Sequence, residues 1–184
     1  MDISRRALLR GRIAQAAQQA EPNRFAPPWF ITAAATDGAC LNCSACIDAC
    51  PTSILELNSK GVASVNFEKG ECEFCGDCAQ VCPQPFYHDA TAQPAWPLVA
   101  DINERCLSQQ GVVCQTCKEM CPVDAIALTL VLGQVPVPSI QQDLCTGCGA
   151  CIAPCPTQAI DILTPENPNY SATANQPSVR TPSQ

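Results

Sequence analysis

Apolar residues recur at helical spacing near the N-terminus, where Leu8, Leu9, Ile13, Ala16, Ala17 and Ala20 form an incomplete stripe. The stripe predicts a helix over residues 3–20, with Ser4 as a possible cap and Gly11 as a weak point. Pro22, Pro27 and Pro28 end it and predict an extended linker. Beyond the linker the apolar runs shorten to strand length and come in the same order twice. Trp29–Ala34 is echoed by Trp96–Ile102. The stretch Pro51–Leu57, a turn entering a strand, is echoed by Pro122–Leu128. A second strand over Val62–Phe67, after the turn Asn58–Gly61, is echoed by Val135–Ile140 after Gly133. A hairpin in each of two repeated halves is the economical reading. Thr164–Gln184, rich in Pro, Asn, Ser, Thr and Gln, has no apolar period and is expected to be disordered or to order only on a partner.

Sixteen cysteines sit between these runs, in four blocks with none left over. Three read C-x2-C-x2-C-x3-C-P: Cys40, Cys43, Cys46, Cys50; Cys72, Cys75, Cys78, Cys82; and Cys145, Cys148, Cys151, Cys155. The remaining block is stretched: Cys106, then Cys114, Cys117 and Cys121 before Pro122. This is the ligand spacing of bacterial [4Fe–4S] ferredoxins, twice over. Two x2 gaps wrap a short loop so that three thiolates converge on three irons. The x3 gap sets the fourth cysteine about one helical turn further on, aimed at the partner cluster. The proline then turns the chain away from its ligand. Disulfides would crowd neighbouring thiols into one tight loop, and zinc sites use paired CxxC units without a third cysteine at the same step. The alternative for Cys106 is a buried free thiol beside a cluster completed otherwise.

Four clusters are therefore expected, with ligands crossed within each half. Cys40, Cys43 and Cys46 join Cys82; Cys72, Cys75 and Cys78 join Cys50. Cys106, Cys114 and Cys117 join Cys155; Cys145, Cys148 and Cys151 join Cys121. The competing arrangement is nested, block one with block four and block two with block three. His88, the only histidine, lies in the connecting loop and is expected to face solvent.

Composition narrows the fold. Leu, Ile, Val and Phe supply only 39 of 184 residues, so a large apolar core is not available and the clusters are expected to act as cores. The expected architecture is α+β: an arm and proline-rich linker over 1–28, a dicluster ferredoxin module over 29–84, a linker over 85–95, a second module over 96–163 and a tail over 164–184.

The net charge of −7 is uneven. Residues 1–24 carry a balance of +3, from five arginines that include Arg5, Arg6 and Arg10, while the remainder carries −10. An acidic body argues against nucleic-acid binding. The basic arm reads equally as a partner-docking element, with Arg5, Arg6 and Arg10 as contacts, or as a solvated helix. Ser4-Arg5-Arg6 begins like a twin-arginine signal, but no uninterrupted apolar run that could serve as an h-region follows, so a cytoplasmic protein is expected. No stretch is long enough to span a membrane. Neither GxGxxG nor CxxCH occurs, so a self-sufficient oxidoreductase is not expected.

Together these features resemble the NapF family of ferredoxin-type proteins, which belongs to periplasmic nitrate reductase systems. The resemblance is carried by Ser4-Arg5-Arg6 with Leu9-Arg10-Gly11, by Pro27-Pro28-Trp29, by the four blocks, and by Gly111-Val112-Val113-Cys114-Gln115 in the stretched one. It implies a cytoplasmic, non-enzymatic protein that associates with the nitrate reductase catalytic subunit before export and assists assembly or reduction of that subunit's iron–sulfur cluster. The residues alone leave open a plain electron-carrying ferredoxin or an electron-transfer subunit of a larger oxidoreductase.

Overall fold

The repeated strand–turn–strand stretches become two hairpins. The computed structural model describes residues 24–170 apart from 36, 37, 41, 42 and 91. In the first half, β1 (Arg24–Phe25), β2 (Leu55–Leu57) and β3 (Ala63–Asn66) form an antiparallel sheet in the order β1-β3-β2. The β2–β3 register places Leu55 opposite Val65 and Leu57 opposite Ala63. The turn between them is built by Asn58, whose Oδ1 accepts from the Lys60 and Val62 amides at 2.9 and 3.1 Å. An Asn side chain that bonds the backbone two residues on substitutes for a backbone turn, which fixes the register of the hairpin. In the second half, β5 (Ile126–Thr129) pairs with β6 (Val137–Ile140), Ile126 opposite Ile140. Its longer loop leaves Leu130 and Leu132 exposed.

A second, outer pairing brackets each hairpin. In the second half it is a full ladder, β4 (Val99–Ile102) against β7 (Ile160–Leu163). In the first half it shrinks to one bridge between Phe30 and Tyr87, closed by Ile31 N–H to Phe86 O at 2.7 Å and His88 N–H to Trp29 O at 2.9 Å. Three single-turn helices, α1 (Ala45–Asp48), α2 (Asp77–Gln80) and α3 (Thr116–Glu119), each carry the third cysteine of a block. The last block forms turns instead. Among the described residues no helix is long and apolar enough to cross a membrane.

Residues 24–28 correct the expected linker. Arg24 and Phe25 pair with Asn66 and Val65, and Pro27, Pro28 and Trp29 are buried. The Phe25 ring lies 6.1 Å from Phe67, so apolar contact draws the segment onto the sheet and removes its freedom as a hinge. Trp29 also reaches the connecting segment: its amide donates to Ala95 O at 2.6 Å and its Nε1–H to Gln93 O at 2.9 Å. The expected helix over 3–20 lies outside the described residues, as do residues 171–184. Of the expected tail, residues 164–170 form turns, and Gln142 Nε2 donates to Asn169 O at 3.1 Å.

One core runs through both halves. Ile54, Val65 and Phe67 are almost wholly buried and belong to the same cluster as Trp96, Leu98 and Ile152. Trp96 stands edge-on to Phe67 and Phe74, with ring centres 5.8 and 5.5 Å away, and its Nε1–H donates to Thr146 O at 3.1 Å. The Cys72 amide donates to Cys148 O at 2.8 Å. Gly149, at φ +83°, lies so close to Phe67 that a Cβ there would fall onto the ring. Gly147, at φ +68°, lies equally close to the Leu98 carbonyl. Only glycine meets both demands, a left-handed backbone and contact without a side chain.

Candidate iron–sulfur centres

Four spaces open inside this frame, and four cysteines line each. Cys40, Cys43, Cys46 and Cys82 line one space beneath Phe86 and Tyr87. Cys50, Cys72, Cys75 and Cys78 line a second against Ile54 and Val65. Cys106, Cys114, Cys117 and Cys155 line a third beside Ile160. Cys121, Cys145, Cys148 and Cys151 line a fourth against Ala100 and Ile126. All sixteen candidate residues fall into these sets, and each set mixes three cysteines of one block with the last cysteine of its neighbour. Cys106 is buried and shares its space with Cys114 and Cys117, so the stretched loop closes on the same space as the rest of its block.

The local chain explains the crossing. After the last cysteine of a block comes proline, then two residues later a left-handed residue: Ser53 at φ 54°, Asp124 at φ 51°, Gln158 at φ 50°. That turn swings the next amide back over the sulfur. Ala125 N–H points at Cys121 Sγ and Ala159 N–H at Cys155 Sγ, both at 3.2 Å. Phe74 N–H reaches Cys72 Sγ at 3.4 Å and Ala100 N–H reaches Cys145 Sγ at 3.3 Å. Amides aimed at sulfur favour thiolate and stabilise electron-rich groups bound to it.

Burial does the opposite. It pushes the Cys78 thiol up to about 12, with Cys75, Cys46 and Cys50 adding to the shift, and Cys117 up to about 11, helped by Cys106. Cys72 and Cys151 are also pushed up, first by burial and then by the thiols around them. Four crowded, buried thiols can ionise together only around positive charge. Iron supplies such charge, so the donor sets fit [4Fe–4S] groups.

The spaces follow one another in an order that differs from the sequence. Cys46 and Cys78 interact across the first two, and Cys117 and Cys151 across the last two. The Cys72–Cys148 hydrogen bond joins the second half's inner space to the first half's. His88 is exposed and lines none of the four. Sequence reasoning missed Tyr87 at the first space. The signal that could have found it is Pro85, which cannot adopt the left-handed turn that follows the other terminal cysteines.

Paired hairpins carrying thiol-lined spaces define a dicluster iron–sulfur protein, and the comparisons agree. The family described as 4Fe-4S dicluster domain matches residues 39–85 and 110–159. The second match starts beyond Cys106, so that cysteine is placed by the structure and not by the family pattern. The ferredoxin-type protein NapF of Escherichia coli K12 is 39% identical over 160 residues, covering 87% of this chain and 94% of the relative. Its Haemophilus influenzae counterpart is 35% identical over 164 residues, covering 86% and 93%. The ferredoxin-type protein NapG of Escherichia coli K12 is more distant, at 32% over 153 residues and 72% of this chain. The chain belongs to the NapF family of ferredoxin-type iron–sulfur proteins.

Proposed function

We propose that each four-cysteine set holds one [4Fe–4S] group and that the protein is a cytoplasmic carrier of four such groups. On this reading it serves maturation of the periplasmic nitrate reductase catalytic subunit before export and catalyses no reaction itself. The single observation that carries the cluster count is the set of four spaces, each lined by four cysteines in the crossed pattern. The groups supply one-electron chemistry when bound. The residues of the chain hold them, direct amides at their sulfurs and face them with apolar side chains such as Phe74, Ile126 and Ile160. Membership of the NapF family supports the nitrate reductase connection. The second reading, an electron carrier between other enzymes, rests on the contacts that link the spaces in succession.

Anaerobically prepared protein is expected to contain about sixteen irons per chain with matching sulfide, four per group. Zinc as the main metal, or about eight irons, would contradict the proposal. Capture of the cofactor-free catalytic subunit from cytoplasm would support the maturation role. Rapid electron exchange with a quinol-oxidising enzyme, and no such capture, would favour the carrier reading.

The basic arm is proposed to recognise the client. Changing Arg5 and Arg6 to Gln should leave cluster spectra unchanged and weaken client binding most at low salt, where exposed charges are least screened. Unaltered affinity with a lower melting temperature would instead place the arm on this protein's own acidic body.

A further inference from the structure

We propose that the Tyr87 hydroxyl donates a hydrogen bond to a ligand sulfur of the group held by Cys40, Cys43, Cys46 and Cys82, and so sets the potential of that group apart from the other three. This rests on the four-cluster reading above. The reason starts in the sequence. Cys121 and Cys155 each receive an amide from four residues on, because the residue before that amide is left-handed. Cys82 is followed by Pro83-Gln84-Pro85, and the proline ring holds φ near about −65°. The same turn cannot form; the chain bends over 83–85 instead, with Phe86 N–H donating to Gln84 O at 2.8 Å, and leads into Tyr87.

That course of the chain delivers a different donor. The Phe30–Tyr87 bridge and its flanking hydrogen bonds fix the backbone of Tyr87, and the Phe30 ring packs edge-on at 5.1 Å. The phenol side chain lines the space shared by the four cysteines. Its hydroxyl oxygen is buried with no hydrogen bond of ordinary geometry. A buried hydroxyl without a partner is costly and calls for an explanation. The acceptors lining that space with it are the sulfurs of Cys40, Cys43, Cys46 and Cys82. A ligand thiolate among them gives the hydroxyl the acceptor it lacks. A donor at a ligand sulfur stabilises the reduced, more negative form and raises the potential.

The test uses the intact holoprotein. Tyr87→Phe should leave iron and sulfide content unchanged. In a redox titration followed by electron paramagnetic resonance, one midpoint potential should move to a more negative value and the other three should stay in place. A Cys43→Ser variant marks which signal belongs to this group. The opposite perturbation is also available, because Tyr87 and Tyr170 are the only tyrosines. Fluorotyrosine incorporated into a Tyr170→Phe background strengthens the phenol as a donor and should move the same potential to a more positive value. This arm decides the matter even if Tyr87→Phe does not fold. Unmoved potentials with all clusters present, shifts of the same sign in both variants, or a shift in the Cys50, Cys72, Cys75 and Cys78 group would each overturn the assignment. Missing clusters in the unmodified protein would overturn the four-cluster reading itself.

Discussion

Replacing Cys148 with alanine is expected to lower iron content from about sixteen to about twelve per chain and to loosen both halves of the protein. The thiol lines the space shared with Cys121, Cys145 and Cys151, on a loop held against the first half by the Cys72 hydrogen bond to Cys148 O. A structural metal site contributes about 10 kcal/mol or more to folding, comparable with the whole stability of a domain at about 5–15 kcal/mol. Loss of one site should therefore make the second half protease-sensitive at room temperature. Because the core is shared, cleavage should follow at exposed positions of the first half as well. Anaerobic iron and sulfide analysis with limited proteolysis checks this, and Val113→Ala, at a site 67% exposed, is the control. Full iron content with wild-type protease resistance would show that Cys148 holds nothing.

The second large effect is expected at Gly149. An alanine there places its methyl group on the Phe67 ring, in a left-handed backbone at φ +83°. Phe67 is fully buried and held by Phe25 and Trp96, so it has no room to yield. Overpacking costs about 1–3 kcal/mol and the left-handed conformation about 1–2 kcal/mol more. Gly111 separates the two contributions, since its φ is also +83° but a Cβ there meets nothing within 4 Å. Anaerobic denaturant unfolding should show Gly149→Ala losing about 2–5 kcal/mol and Gly111→Ala only the smaller, backbone part. Phe67→Leu in the Gly149→Ala chain should recover some stability. Equal losses at both glycines would mean that Phe67 does not abut this loop.

Local rules carried much of this structure into the sequence. Asn58 and the apolar runs around it announced the β2–β3 hairpin, and Gly133 announced β5–β6, with strand ends displaced by a residue or two. The cysteine spacing set each block's last thiol apart from its first three, but left sequential and nested pairing open; only the hairpin inside each half favoured the sequential one. Contacts made between distant segments were not legible. Nothing near Arg24 and Phe25 signals that they pair with β3, because the attraction comes from Phe67, more than forty residues away. The prolines at 27 and 28 read as a linker because proline's local preference is extended; that they are buried depends on the sheet beneath them. Phe67 and Gly149 are unremarkable apart and informative only as a pair. Tyr87 needed both a negative local signal, Pro85, and the Phe30 bridge before its hydroxyl acquired a direction.

The shared core also bears on how the molecule comes into being. A chain emerging from the ribosome completes the blocks ending at Cys50 and Cys82 before Trp96 exists to cover Phe67 and Phe74. Gly149, which closes the same face, is made later still. Until then the Phe67 and Phe74 flank of the first half lacks its cover. A chain ending before Trp96 is therefore expected to present that aromatic flank to water and to be marginal by itself.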